Sequence, residues 1–125
     1  MIKANSKDTR YQTLFTNGKH SAISDTTRDK GGNESGFRPH DLLEAALASC
    51  INMTLRMYAD QHGIPLSGVT TRVRLDRSNP EESVFEYEIE FLGSLAENDR
   101  EHLLEIAEKC PVRQTLSKRI KFCTR

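Results

Sequence analysis

Two segments in the middle of the chain alternate between apolar and polar residues, which is the pattern of β-strands that bury one face. In the first, which ends at Asp76, valines and a leucine alternate with charged residues, and Thr71 shares the apolar face. In the second, aromatic and β-branched residues alternate with glutamates. Turn residues at Ser78-Asn79-Pro80 predict that the two strands form a hairpin. Its apolar face comprises Val69, Val73, Leu75, Phe85, Tyr87, Ile89 and Phe91.

The opposite face of this hairpin is charged. Arg72 and Arg74 stand on the first strand, and Glu86, Glu88 and Glu90 stand on the second. Residues that face each other across an antiparallel pair come into contact, so we expect cross-strand ion pairs here. The pattern favours a solvated charged surface over a functional site.

A long helix is predicted over residues 39–62. Pro39 suits the first helical position because its fixed φ is already helical, and Asp41 complements the positive end of the helix dipole. Gly63 is expected to cap the other end. From Leu42 to Ile51 the helix is apolar on nearly every face, which predicts burial in a core or in an interface.

Shorter elements are predicted before the long helix. Two strands, Arg10 to Phe15 and Ser21 to Ser24, flank Asn17-Gly18, a dipeptide typical of tight hairpins. The polar segment from Asp25 to Gly36 contains Gly31-Gly32 and is predicted to be a loop.

Two helices and a strand are predicted after the central hairpin. Ser94 and Glu97 form a possible capping box for a helix, and Pro111 restarts a short helix that runs to Leu116. A last strand is expected over residues 119–124. Since strands and helices do not alternate regularly, the fold class is α+β with an antiparallel sheet, in one domain over residues 1–125. The apolar stripe of the first of these helices is Leu103, Leu104, Ile106 and Ala107, and that of the last strand is Ile120 and Phe122.

Composition excludes several classes of function. The 18 basic and 18 acidic side chains cancel, so nothing indicates a nucleic-acid partner. Residues 1–13 are polar and do not resemble a signal peptide, and the apolar stretch Leu42–Ile51 is too short to cross a membrane. We therefore expect a soluble, cytoplasmic protein without a membrane partner. In that reducing compartment the three cysteines are not expected to form a structural disulfide framework.

Cys50 and Cys110 are the candidate reactive residues. Cys110 precedes Pro111 at the start of a helix, where free backbone N–H groups and the helix dipole favour a thiolate. Lys109 and Arg113 add positive charge there. Cys50 lies in mid-helix among alanines and leucines, where burial raises the pKa of a thiol. A cysteine in such a helix is more often a small core residue than a nucleophile, and to react it needs a cation or a hydrogen-bond donor from elsewhere.

The four histidines do not favour a metal site. His20, His40, His62 and His102 stand at none of the spacings typical of zinc ligands. His102 precedes Cys110 by eight residues, or about two helical turns, which is a weak pairing by itself. We expect no metal and no other cofactor.

The surroundings of the two cysteines resemble a known family. Residues 39–50 read Pro-His-Asp-Leu-Leu-Glu-Ala-Ala-Leu-Ala-Ser-Cys, which resembles the first cysteine helix of the OsmC/Ohr superfamily (osmotically inducible and organic hydroperoxide resistance proteins). Lys109-Cys110-Pro111-Val112 resembles its second cysteine motif. Gly31-Gly32 and Gly36 precede Pro39 as in the family's GG…G…P pattern. The two cysteine motifs, in this order and separated by a β-hairpin, are specific together and weak apart.

The resemblance implies a fold, an assembly and an activity. It implies antiparallel sheets around a long buried central helix, in an intertwined homodimer that exchanges strands. It also implies reduction of small-molecule hydroperoxides without a cofactor, with Cys50 as the peroxidatic thiol, Cys110 as the resolving thiol, and a dithiol or thiol protein as reductant. Cys50 and Cys110 should then lie within bridging distance. The alternative is a non-catalytic dimer of the same fold that binds a small apolar ligand in the interface cleft.

The chain departs from active relatives near the start of the Cys50 helix. They carry a glutamate ten residues before the first cysteine, paired with an arginine from the N-terminal region. That position is His40 here, and Asp41 follows it, matching the acidic residue of other branches. His40 would act by its positive charge or as a base, and a surface histidine is the alternative. Candidates for the place of the arginine are Lys19, Arg10, Arg28 and Arg38.

Overall fold

A computed structural model describes all residues of the chain, 1–125. The elements divide between two compact units, Met1–Leu43 and Glu44–Arg125, so the expectation of a single domain stays a prediction. The long helix α1 spans Pro39–His62, and its first turn belongs to the first unit. No helix combines the length with the apolar character that a membrane crossing requires.

The first unit contains a three-stranded antiparallel sheet in the order β1-β2-β3. Its strands are Lys3–Ser6, Thr13–Thr16 and Ser21–Ser24. The hairpin predicted around Asn17-Gly18 is confirmed, and Gly18 has a φ of 94°, which a side chain disfavours. The second strand begins later than Arg10, the predicted start. The first strand was not predicted because its residues are exposed and show no apolar alternation.

The loop from residue 25 to 36 is held by one buried carboxylate. Asp25 is 3% exposed and accepts hydrogen bonds from the backbone N–H groups of Thr26, Asn33 and Ser35. Gly36 passes so close to β3 that a Cβ there would lie 2.1 Å from the carbonyl oxygen of Ile23. A glycine at this position is therefore a steric requirement of the fold.

In the second unit α1 packs one face into the core. The buried residues recur every four positions: Leu47, Ile51, Leu55 and Ala59. The predicted bounds of the helix are confirmed, and Gly63 follows it with a left-handed φ of 64°. The opposite face is exposed in this chain, with Met53 61% and Met57 57% accessible. The sequence predicted apolar residues on nearly every face of this helix. The rest of the same chain buries only some of them.

The central hairpin forms as predicted. β4 spans Gly68–Asp76 and β5 spans Val84–Leu92, paired antiparallel. The charged face carries the expected ion pairs, Arg74 to Glu86 at 2.5 Å and Arg72 to Glu90 at 3.5 Å. Both pairs are exposed, so they contribute little to stability. The apolar face packs against the α1 core through Val69, Val73, Phe85, Tyr87, Ile89 and Phe91.

Two helices follow, α2 at Glu97–Ala107 and α3 at Pro111–Leu116. Cys110 occupies the N-cap position of α3, as the sequence predicted. The predicted capping box is wrong: the N-cap of α2 is Ala96 and no side chain caps that end. Ser94 therefore stands two residues too early to serve as the cap. In the apolar stripe of α2, Leu103 and Ala107 are buried, whereas Leu104 is 38% exposed.

The last predicted strand, over residues 119–124, is not formed. This segment has no regular structure, and its two apolar side chains are exposed, Ile120 by 53% and Phe122 by 94%. A strand exists only as part of a hydrogen-bonded ladder, and no strand of this chain pairs with the segment.

Candidate active site

The second unit brings Cys50 and Cys110 into contact although they are 60 residues apart in sequence. Cys50 lies in the middle of α1, and Cys110 lies at the N-cap of α3. The Cys110 thiol donates a hydrogen bond to the Cys50 sulfur. Both thiols are free. This contact agrees with the expected proximity, and the bridging of the two sulfurs stays a prediction.

The environment of Cys50 favours its thiolate. Partial burial raises the pKa of the Cys50 thiol, but three hydrogen bonds outweigh this and hold the pKa below its ordinary value. The donors are the Cys110 thiol, the backbone N–H of Val112 and the Thr54 hydroxyl. Hydrogen bonds to a charged acceptor are stronger than those to a neutral one. All three donors are neutral, so within this unit Cys50 is activated by hydrogen bonding and not by a neighbouring cation.

The environment of Cys110 favours its neutral thiol. Burial raises the pKa of Cys110, and so do the hydrogen bond to Cys50 and the negative charge of the Cys50 thiolate. The Arg113 and Val112 backbone N–H groups act in the opposite direction and do not prevail. The sequence favoured a thiolate at Cys110, and this is wrong because burial and the interaction with Cys50 outweigh the backbone N–H groups of α3.

Exposure separates the three cysteines. Cys110 is 0% exposed, Cys50 is partly exposed and Cys123 is exposed. A small molecule therefore reaches the sulfur of Cys50 before that of Cys110. A lowered thiol pKa and access from solvent therefore coincide at Cys50.

Thr54 and Val112 are site residues that the sequence analysis did not identify. Thr54 is one helical turn after Cys50 on α1, a spacing that places two side chains side by side. That spacing could have identified Thr54 from the sequence, because a hydroxyl four residues from a cysteine in a helix lies within reach of the sulfur. Val112 contributes only its backbone, and no property of its side chain indicates this.

The positive charges expected beside Cys110 do not act on the pair. The guanidinium of Arg113 donates instead to the carbonyl oxygen of Glu108 at 3.0 Å. Neither Arg113 nor Lys109 contributes by its charge to the pKa shift of either thiol. No group of three His, Cys, Asp or Glu side chains is arranged to hold a metal ion.

His40 and Asp41 lie in the first turn of α1, in the first unit. The Asp41 carboxylate forms an ion pair with Arg38 at 2.7 Å and accepts the Arg38 backbone N–H at 2.9 Å. Asp41 thus pairs with one of the arginines considered from the sequence. His40 is partly buried and lines a pocket of about 290 Å³ that also contains Lys30 and Tyr11.

Comparisons with known proteins agree with this architecture. The family model described as OsmC-like protein matches residues 31–125. No curated protein matches the chain at a significant level. Among solved structures, an organic hydroperoxide resistance protein OsmC from Legionella pneumophila is similar, with 23% identity, TM-score 0.67, and coverage of 94% of this chain and 88% of that one.

Two further structures show the same similarity. An OsmC-like protein from Mycoplasma pneumoniae has 21% identity and TM-score 0.72, with coverage of 93% of this chain and 85% of that chain. An organic hydroperoxide resistance protein from Elizabethkingia anophelis has 18% identity and TM-score 0.68, with coverage of 93% and 86% respectively. At these identities the likeness establishes the fold.

Proposed function

This chain belongs to the OsmC family, and from that premise we propose that it is a thiol peroxidase. Its substrates are organic hydroperoxides and hydrogen peroxide, and its reactive groups are Cys50 and Cys110. The hydrogen bond from the Cys110 thiol to the Cys50 sulfur carries the proposal. In this proposal the contact makes Cys50 the more reactive thiol. It also keeps Cys110 next to the sulfur that it would attack. Two of the similar structures are of proteins named organic hydroperoxide resistance proteins, which supports this substrate class.

In the first step the Cys50 thiolate attacks the terminal oxygen of the hydroperoxide. A sulfur–oxygen bond forms, the oxygen–oxygen bond breaks, and the alkoxide leaves and takes a proton from water. Cys50 becomes a sulfenic acid and is oxidised by two electrons, while the peroxide is reduced to an alcohol by the same two. The hydrogen bonds from Thr54 and Val112 keep the thiolate available for this attack.

In the second step the Cys110 sulfur attacks the Cys50 sulfenic acid. A disulfide forms, and the oxygen taken from the peroxide leaves as water together with the Cys110 thiol proton. Because the two sulfurs are already in contact, this step needs little movement of α1 or α3. A small dithiol or a thiol protein then reduces the disulfide by exchange, in the cytoplasmic setting that the sequence predicts.

The working form is, in this proposal, a homodimer. Met53 and Met57 leave apolar surface exposed on α1, and contiguous apolar surface on a small protein marks an interaction site. The segment over residues 119–124 also exposes Ile120 and Phe122 and is proposed to join a strand of the partner. A dimer would thereby cover the surface that one chain leaves open.

The test is consumption of cumene hydroperoxide with a dithiol reductant. We expect the wild-type protein to turn over, Cys50→Ser to be inactive, and Cys123→Ser to match the wild type. Cys110→Ser should accumulate a sulfenic acid at Cys50 that dimedone traps. A wild-type protein that leaves the hydroperoxide unchanged, or a Cys50→Ser variant that still consumes it, would overturn the proposal.

A further inference from the structure

A second cluster of reactive side chains lies apart from the thiol pair, between α1 and α2. The Tyr58 hydroxyl forms a hydrogen bond with Nε2 of His102 at 2.5 Å. Nδ1 of His102 faces a carboxylate oxygen of Glu105 at 3.8 Å. The ring of His62 stacks on the ring of Tyr58, with centroids 3.9 Å apart and planes 16° apart. The spacing of His102 and Cys110 was only a weak pairing in the sequence, and the structure shows His102 bonded to Tyr58.

The Glu105 carboxylate, 3.8 Å from Nδ1 of His102, favours one direction of the hydrogen bond between Tyr58 and His102. The Glu105 carboxylate favours the proton of neutral His102 on Nδ1, which leaves Nε2 as an acceptor. The phenol must then be the donor, so its proton points at a base within hydrogen-bond reach. The ring of His62 is fixed in turn, because its Nδ1 donates to the carbonyl oxygen of Tyr58 at 2.9 Å.

This arrangement is suited to one-electron oxidation of Tyr58. A phenol that loses an electron becomes strongly acidic, so oxidation is much easier when a base accepts the proton in the same event. His102 is such a base, already aligned with the phenolic proton. Tyr58 is partly buried and its ring is stacked, which shields the radical from coupling with another molecule.

We propose that Tyr58 is a one-electron donor that reduces organic peroxyl radicals to hydroperoxides. An electron passes from the phenol to the peroxyl radical, and the phenolic proton moves to Nε2 of His102. The resulting hydroperoxide anion takes its proton from water and leaves hydroxide, which balances the proton on His102. The products are a Tyr58 phenoxyl radical, a protonated His102 and a neutral hydroperoxide. This step uses neither cysteine and does not depend on thiol peroxidase activity.

The other two tyrosines serve as internal controls. The phenol of Tyr11, 54% exposed, and that of Tyr87, which faces the core, form no hydrogen bond to an imidazole. Tyr58 is therefore the one tyrosine with a base that can take its proton as the electron leaves. A non-specific reaction of radicals with exposed tyrosines would not favour Tyr58 over the other two.

The experiment exposes the full-length protein to peroxyl radicals from a water-soluble azo initiator in air, followed by freeze-quenching and electron paramagnetic resonance. We expect a tyrosyl signal in the wild type and in Tyr11→Phe and Tyr87→Phe, and loss of most of it in Tyr58→Phe. His102→Gln keeps an acceptor but cannot hold the proton, so it should slow radical formation about tenfold, in the range of lost proton-transfer help.

Two results would overturn the proposal. One is a signal divided among the three tyrosines, so that each single Phe variant loses a similar share. The other is a His102→Gln variant that forms the radical as fast as the wild type. The second result decides the matter even if Tyr58→Phe does not fold, because His102→Gln retains Tyr58 and its packing. Turnover of cumene hydroperoxide by the cysteines is measured separately. Its result is independent of the two outcomes named here.

Discussion

The Cys110 thiol donates its hydrogen bond to the Cys50 sulfur, and this contact shifts the two thiol pKa values in opposite directions. The acceptor is the more exposed sulfur and the donor is fully buried. The same contact that stabilises the Cys50 thiolate therefore favours the protonated form of Cys110. The order of the two sulfurs in the proposed cycle follows from this asymmetry.

Replacing Cys110 by alanine removes one of the three donors to Cys50. The pKa of Cys50 should rise, and its alkylation by iodoacetamide at neutral pH should slow by about tenfold, the order of one hydrogen bond to a charged group. Cys110→Ser is the matched control because its hydroxyl retains a donor, and it should react faster than the alanine variant. Equal rates in the wild type and in Cys110→Ala would show that the contact does not activate Cys50.

Thr54→Val tests a second donor with little change in side-chain volume. The Thr54 hydroxyl lowers the pKa of Cys50, so its loss should raise that pKa. At a pH below the pKa, a smaller fraction of Cys50 is then thiolate. We expect the oxidation of Cys50 by cumene hydroperoxide to slow by up to about tenfold at neutral pH. Above the thiol pKa both proteins are fully thiolate, so the difference should vanish there. Thr54→Ser retains the hydroxyl, and a Ser variant as slow as Val would assign the effect to packing.

His40→Gln tests the histidine that stands where the family resemblance implies a glutamate. If His40 supplies charge or accepts the thiol proton, the rate of Cys50 oxidation at neutral pH falls about tenfold or more. That loss shrinks above the thiol pKa, where the thiolate forms unaided. An unchanged rate at neutral pH would assign His40 to the surface and direct attention to Asp41, Arg38 and Lys19.

The exposed face of α1 predicts self-association. Sedimentation at micromolar concentration should give a homodimer, and Met57→Glu should shift it towards monomer because a carboxylate is costly to bury in an apolar interface. Gln61→Glu, also exposed on α1, adds the same charge and should have a smaller effect. A wild-type protein that remains a stable monomer at this concentration would be incompatible with the proposed assembly.

Local signals in the sequence accounted for much of the fold. The bounds of α1 follow from Pro39 and Gly63, and the hairpin β4–β5 follows from strict alternation. The segment 119–124 has the same kind of alternation but forms no strand, because a strand needs a partner that no local pattern can supply. The capping box at Ser94 failed because α2 begins later than the pattern predicted, with Ala96 at its N-cap and no side-chain cap.

Local patterns in the sequence predicted less of the candidate site than of the fold. The approach of Cys50 and Cys110 was inferred from the family resemblance, because nothing in the composition joins residues 60 positions apart. The preferred thiolate was assigned to the wrong cysteine. Helix geometry indicated that N–H groups near Cys110 were free, but only the tertiary structure shows that the Val112 amide donates to Cys50.

The most direct test of the central claim is a thiol count with peptide mapping after one equivalent of cumene hydroperoxide is added to the reduced protein. The proposed mechanism predicts that two of the three thiols per chain are lost, that one alcohol forms per peroxide, and that the linked peptides contain Cys50 and Cys110. Cys123 should remain a free thiol. Three intact thiols, or a disulfide that joins Cys123 and leaves Cys110 free, would contradict this mechanism.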